Sequence, residues 1–304
     1  MIKKFDLSVT EVTVAALAAI LEYRYLSVKQ VATITGVRDK SASEMLLRLE
    51  RHKALAHFGN TGIRGMGKTP KVYYLTQRGH RMLAAEYDAV GREIAPFKPI
   101  NMTSRWSPKM YHRMDTLDVL ASLERDFQAL RDYKRVGTLV EYRREKIGRR
   151  WRTETTDYIG DPTTASNKIV PDAGFVIEHY ASGKRALFLI EVDCGTTQLM
   201  SFQPDAEVQT FINKLALYDR YLASGRAAER YERLGVFSGF HVLIVTSSQA
   251  RLTNMRKAAR ALSASFHPFY RFSTLDIVRQ KFLHDGWLSR DHADNKTYSL
   301  IKGT

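Results

Sequence analysis

Hydrophobic positions in the N-terminal part of the chain fall into short helical stretches, each opened by a polar cap. Val14, Leu17, Ile20 and Leu21 follow Ser8-x-x-Glu11. A run from Val28 to Ile34 follows Ser27-x-x-Gln30 and stops at Gly36, and Met45, Leu46 and Leu49 follow Ser41-x-x-Glu44. A serine with Glu or Gln three residues on satisfies the free N–H groups of a first helical turn, so each marks a helix start. The spacing then shortens. Leu55–Phe58 and Val72–Leu75 read as two strands around a loop rich in Gly and basic residues, and Thr76 opens a closing helix. Ile94–Ile100 carries two prolines, and Ser107-Pro108 follows. Prolines break helices, so residues 94–108 read as a linker between a domain at 1–93 and another at 109–304.

The second domain mixes both periods. Met114, Leu117, Leu120, Leu123, Phe127 and Leu130 predict a helix from Lys109 to about Tyr133, and Gly137–Tyr142 predicts a short strand. Ile169–Ile177 and Arg185–Val192, around a turn at Ser182-Gly183, predict a hairpin. Val208, Phe211, Ile212, Leu215 and Leu222 predict a helix from about Pro204 to Leu222. A buried strand at Phe240–Thr246, a helix from Ser248 to about Leu262 and a last strand at Phe269–Phe272 follow, then a small helix and an irregular tail. The fold class is α/β with a central mixed sheet in the second domain.

The N-terminal order of helices and a two-stranded wing looks like a winged helix-turn-helix domain. Lys40, Ser43, Arg48 and Arg51 would lie on the outer face of its reading helix, with Arg64, Lys68 and Lys71 on the wing. Such residues meet base edges and phosphates respectively. The alternative is a helical bundle with solvated charges. Charge favours the first reading: 47 Lys and Arg against 32 Asp and Glu give a net charge of +15. That excess suits a polyanion, with double-stranded DNA the expected partner. Paired half-sites would suit a homodimer. The single cysteine, Cys194, excludes a disulfide framework and a Cys-rich zinc site, and reads as a small buried thiol. Met1–Asp6 lacks an apolar signal core, and no apolar run nears the roughly 20 residues of a membrane span, so a cytoplasmic protein is expected. Gly62–Thr69 spells a P-loop, the basis for a third reading as a regulatory ATPase. A P-loop needs a helix at its Lys-Thr, and here Pro70 and a strand follow. It reads as a wing loop.

Candidate chemistry lies between Lys168 and Gln198. Glu191 and Asp193 close a strand at i and i+2, so they share a face, and Asp172 follows Pro171 at the start of the preceding strand. Crowded carboxylates raise each other's pKa unless a cation intervenes, and hard oxygen clusters suit Mg²⁺ or Mn²⁺. The plain alternative is an acidic strand end solvated at the sheet edge. Lys214 and Tyr218 lie on the flank of the following helix. Arg143, Arg144, Arg149, Arg150 and Arg152 form either a phosphate track or an exposed hairpin tip. Glu141 and His112 are accessory candidates.

Helix, three strands, helix, strand resembles the core order of the PD-(D/E)xK, restriction-endonuclease-like fold. Pro171-Asp172 and Glu191-Val192-Asp193 match its motif, except that Asp193 stands where a lysine is usual. With the winged helix, Glu191-Val-Asp-Cys-Gly-Thr196 and Lys214-Leu-Ala-Leu-Tyr218 make the chain similar to the replication-relaxation family of plasmids and integrative elements, over about residues 8–275. MOBC-type relaxases resemble the same layout. The resemblance implies metal-dependent nicking of DNA at an origin or transfer origin. Single-stranded DNA and mobilisation or replication proteins are further implied partners. It makes Asp172, Glu191 and Asp193 ligands of one or two Mg²⁺ or Mn²⁺, and Lys214 a moved lysine that offsets charge on the phosphate. Tyr218 and Tyr221 are alternative nucleophiles for a covalent nick. Because the motif lysine is missing, the layout also suits a non-catalytic origin-binding accessory protein.

Overall fold

The computed structural model describes residues 9–301 apart from 60–61, 64–66, 101–107, 148–149, 162–163, 165–166, 196 and 201–209. The chain divides into two compact units, Met1–Arg125 and Asp126–Thr304. The division falls near the end of a long helix; of the expected linker at 94–108, residues 94–100 form no helix or strand and 101–107 lie outside the described residues.

The first unit runs α1 (Glu11–Tyr23), β1 (Tyr25–Ser27), α2 (Val28–Thr35), α3 (Asp39–Arg51), β2 (Leu55–Phe58), β3 (Gly62–Ile63), β4 (Gly67–Lys68), β5 (Val72–Leu75) and α4 (Gln77–Asp88). β1, β5 and β2 form an antiparallel sheet in that order. Leu17 and Ile20, Val31, Leu46 and Leu49, Val72 and Leu83 make the core. Ser27 and Gln30 form the expected capping box, and Gly36 ends α2 at φ 70, a left-handed conformation that glycine adopts without strain. Gly79 serves close approach: a Cβ there would lie 2.1 Å from the Ala54 carbonyl oxygen. Thr10 caps α1, with Ser8 outside the described residues. A helix start that differs from expectation is that of α3, which begins at Asp39 with no side-chain cap and leaves Ser41 inside its first turn. After Lys68 the chain enters strand β5, not a helix, so the phosphate-holding geometry of a P-loop is not formed.

The long helix α5 (Pro108–Gln128) ends before the predicted Tyr133, because Tyr133 opens the first strand of the second unit. That unit continues β6 (Tyr133–Val140), β7 (Arg144–Ile147), β8 (Arg150–Thr153), β9 (Asp157–Tyr158), β10 (Lys168–Ile169), β11 (Ala173–His179), β12 (Arg185–Asp193), α6 (Phe211–Ser224), α7 (Arg226–Arg230), β13 (Phe240–Thr246), α8 (Gln249–Ala258), β14 (Tyr270–Thr274), α9 (Leu275–Gln280), β15 (Trp287–Ser289) and β16 (Thr297–Tyr298). The central sheet has the order β16-β15-β14-β13-β12-β11-β6. β6, β11 and β12 are antiparallel, β12, β13 and β14 are parallel, and β15 and β16 return antiparallel. The predicted irregular tail therefore adds two strands. The expected first hairpin strand is split at Val170–Asp172, and Glu141 stands in the turn after β6 rather than in the strand.

Each face of this sheet has its own cover. Leu187, Leu189, Val242 and Ile244 pack against Phe211, Leu215 and Tyr221 of α6 and Leu252 and Met255 of α8. On the opposite face Phe175 stacks on Phe188 at 4.7 Å, and Phe282 meets Phe175 edge-on at 5.7 Å. Period-2 alternation assigns odd-numbered residues of β12 to the face under α6 and α8. No helix among the described residues is long and apolar enough to cross a membrane.

Candidate active site

Glu191 and Asp193 lie at the C-terminal end of β12, on the face that α6 and α8 cover. β13 runs parallel beside them, with Glu191 opposite Ile244 and Asp193 opposite Thr246. The carboxyl ends of parallel strands are where open sheets place ligands. Ala173 pairs with Ile190 on one side and Val140 on the other, so Asp172 arrives at the same rim.

Each acid has its own holder. Asp172 Oδ2 accepts the Val192 backbone N–H at 2.8 Å. Glu191 is buried, and its two oxygens accept from Lys214 Nζ and from the Tyr218 hydroxyl. Asp193 is gripped by Arg251, whose Nε lies 2.9 Å from Oδ2 and whose Nη2 lies 3.2 Å from Oδ1. Thr246 Oγ1 and the Gly195 N–H also donate to Asp193 Oδ2, at 3.2 and 3.1 Å.

The electrostatics follow from burial. Burial pushes the Glu191 carboxyl up to about 7; the Lys214 ammonium opposes this and the Asp172 carboxylate reinforces it. Burial also works against the Lys214 ammonium, but Glu191, Asp172 and Asp193 outweigh it and hold its pKa above the usual value. Lys214 is thus a cation within electrostatic reach of all three acids. The Tyr218 phenol is driven well above its ordinary value by burial and then by Glu191.

The structure brings together Asp172, Glu191, Lys214 and Tyr218, while Asp193 turns to Arg251. Among the described residues no three His, Cys, Asp or Glu side chains group as a metal-holding set. The guanidinium of Arg251 takes both oxygens of Asp193. Mg²⁺ needs one or two carboxylates and fills its shell with water and substrate phosphate. Asp172 and Glu191, two electrostatically coupled hard-oxygen donors, fit such an ion. Tyr218 and Tyr221 are fully buried, and Tyr221 donates to Asp157 Oδ2 at 2.5 Å.

Of the remaining candidates, Lys40, Arg48 and Arg51 are exposed on α3 and Ser43 is half-buried. Lys71 is half-buried, 2.8 Å from Glu50 Oε2 and 5.0 Å above the Tyr73 ring. Arg64 and Arg149 lie outside the described residues, as do the side chains of Lys68 and Arg150. Arg143 donates to the Thr138 carbonyl at 2.9 Å, and Arg152 lies 4.9 Å from the Tyr158 ring centroid, while Arg144 is exposed. His112 is half-buried in α5 and Cys194 half-buried after β12. Sequence reasoning left Arg251 unassigned. Its signal was position: it follows the Ser248 cap at the start of the helix leaving β13, the strand beside β12.

The family model described as replication-relaxation matches residues 17–236. The chain belongs to the replication-relaxation family. Membership points to a role in replication or mobilisation. The matched span holds Asp172, Glu191, Asp193, Lys214 and Tyr218 and ends before Thr246 and Arg251. No curated protein and no solved structure matches the chain.

Proposed function

We propose that this member of the replication-relaxation family binds DNA through a winged helix in its first unit and nicks it with a PD-(D/E)xK-like site in its second. The observation that carries the reading is Lys214, set by α6 onto Glu191 beside Asp172 at the rim of an antiparallel-then-parallel sheet. A lysine delivered from the following helix stands in for the one that Asp193 replaces in the motif.

Asp172 and Glu191 would hold Mg²⁺ or Mn²⁺, which lowers the pKa of a bound water and withdraws charge from the scissile phosphate. The Val192 N–H fixes Asp172, and Tyr218 fixes Glu191. Lys214 stays protonated at neutral pH and is placed to offset charge on the phosphate oxygens. Asp193 anchors Arg251. A hydrolytic nick is favoured over a covalent one, because the buried Tyr218 and Tyr221 hydroxyls point at carboxylates and resist ionisation.

The second reading is an origin-binding accessory protein. Its supporting observation is that both oxygens of Glu191 and of Asp193 are already satisfied by protein groups. The test incubates the full chain with supercoiled plasmid carrying its element's origin, with Mg²⁺ or Mn²⁺. Wild type should nick, while Glu191→Gln and Lys214→Met should each lose at least about 100-fold in rate with DNA binding retained. Equal binding with no nicking by any of the three selects the accessory reading.

A further inference from the structure

The β7–β8 hairpin leaves the sheet at the acidic rim, since it follows Val140, the partner of Ala173. Its two faces differ. Glu145 and Arg152 pair across it on one face, and Arg230 of α7 donates to Glu145 and, at 2.9 Å, to the Glu154 carbonyl. That face is anchored. On the other, Lys146 pairs with Trp151, and Arg144 with Thr153. Trp151 is 65% exposed, and Lys146 and Arg144 are exposed too. Among the described residues no ring or cation stacks on this indole. An exposed indole leaves a large apolar ring face in water, which a stacked ring would cover.

We infer that Trp151 is a stacking platform for an unpaired base, with Arg144 and Lys146 on the flanking phosphates. An indole face offers stacking to any base, and cations beside it track the backbone. A duplex keeps its base faces covered, so only a single strand can use the platform. The net charge of +15 and the two cations on this face select a polyanion over an apolar protein partner. The inference rests on the DNA-directed reading above for the kind of polyanion, and its test needs no cleavage.

The full chain is titrated in EDTA with labelled oligo-dT and with a hairpin duplex of equal charge, by fluorescence anisotropy. Trp151→Ala should weaken oligo-dT binding roughly fivefold to a hundredfold and duplex binding by no more than about twofold. Trp151→Phe should keep most of the affinity. Indole emission supplies an independent readout in a Trp106→Phe background, which leaves two of the three tryptophans, because Trp287 is fully buried and donates to the Phe282 carbonyl at 2.6 Å. Oligo-dT should quench the emission of that background, and adding Trp151→Phe should abolish the quench. An equal loss for both DNAs, a quench that persists in Trp151→Phe, or a change of self-association in Trp151→Ala by sedimentation overturns the platform. Loss of nicking in Glu191→Gln would leave all of these readouts unchanged.

Discussion

His241 sits in β13 with its ring stacked on Phe188 at 5.3 Å and tilted against Phe269 at 6.2 Å. Burial, aided by the charge of Arg271, lowers its pKa from 6.5 to about 4. An unfolded chain takes up the proton near pH 6.5 and the folded one only near 4, so the unfolded state binds more protons between those values. Stability from this residue is complete above the unfolded value and is lost as pH falls through the folded one. The whole shift corresponds to about 3 kcal/mol at 1.36 per pH unit. His241 keeps an edge in solvent, so roughly 1–2 kcal/mol is expected. Urea unfolding of wild type from pH 7 to 4 should show that loss, and His241→Phe should remove it; an unchanged acid slope would clear His241. At this scale the sequence was readable where a single strand decides. The i, i+2 spacing of Glu191 and Asp193 already set both on one face. What each carboxylate touches was not readable: Lys214 lies 23 residues after Glu191 and Arg251 lies 58 after Asp193. Helical spacing likewise put Tyr218 near the buried stripe but not how deep its hydroxyl sits.

Among the elements, α2 was the most legible, because its cap and its stop are both local. The Gln30 N–H donates to Ser27 Oγ at 3.3 Å, and the Ser27 N–H donates to Gln30 Oε1 at 2.8 Å. Gln30 does more than close this box. Its buried Nε2 donates to the Met114 carbonyl at 3.0 Å and to Asp118 Oδ1 at 2.7 Å, tying α2 to α5 within the first unit. Ser27→Ala should cost about 1 kcal/mol, the usual price of an N-cap. Gln30→Ala should cost more, roughly 2–3 kcal/mol, because it strips a donor from a buried carbonyl as well. Denaturant midpoints measure both, and equal losses would mean the α5 bonds contribute nothing. The cap motif misplaced the start of α3, which begins at Asp39 rather than after Ser41. Thr10 caps α1, while Ser8 lies outside the described residues, as does the expected start of α6 near Pro204, and Thr210 caps α6 where it is described. β15 and β16 were invisible because three- and two-residue strands carry no period of their own; pairing to β14 makes them strands.

For the whole molecule, the excess of positive charge was plain from composition, but not which cations are available to a partner. On α3, Lys40, Arg48 and Arg51 face solvent. Lys71 does not share their condition: Glu50 holds it at 2.8 Å, and that pairing raises its pKa against burial, which lowers it. A cation already paired inside the protein releases few counterions when DNA docks, since counterion release counts phosphates newly neutralised. On the proposed DNA-binding reading, Arg48→Ala and Arg51→Ala should therefore each lower the slope of log K against log salt by about 1, measured on duplex DNA between roughly 50 and 200 mM salt. Lys71→Ala should leave that slope unchanged and lower stability instead, because Glu50 loses a partner. If Lys71→Ala flattened the salt dependence as much as Arg48→Ala, the wing and not α3 would carry the electrostatic contact. DNA would then meet the first unit along β5 rather than across its third helix.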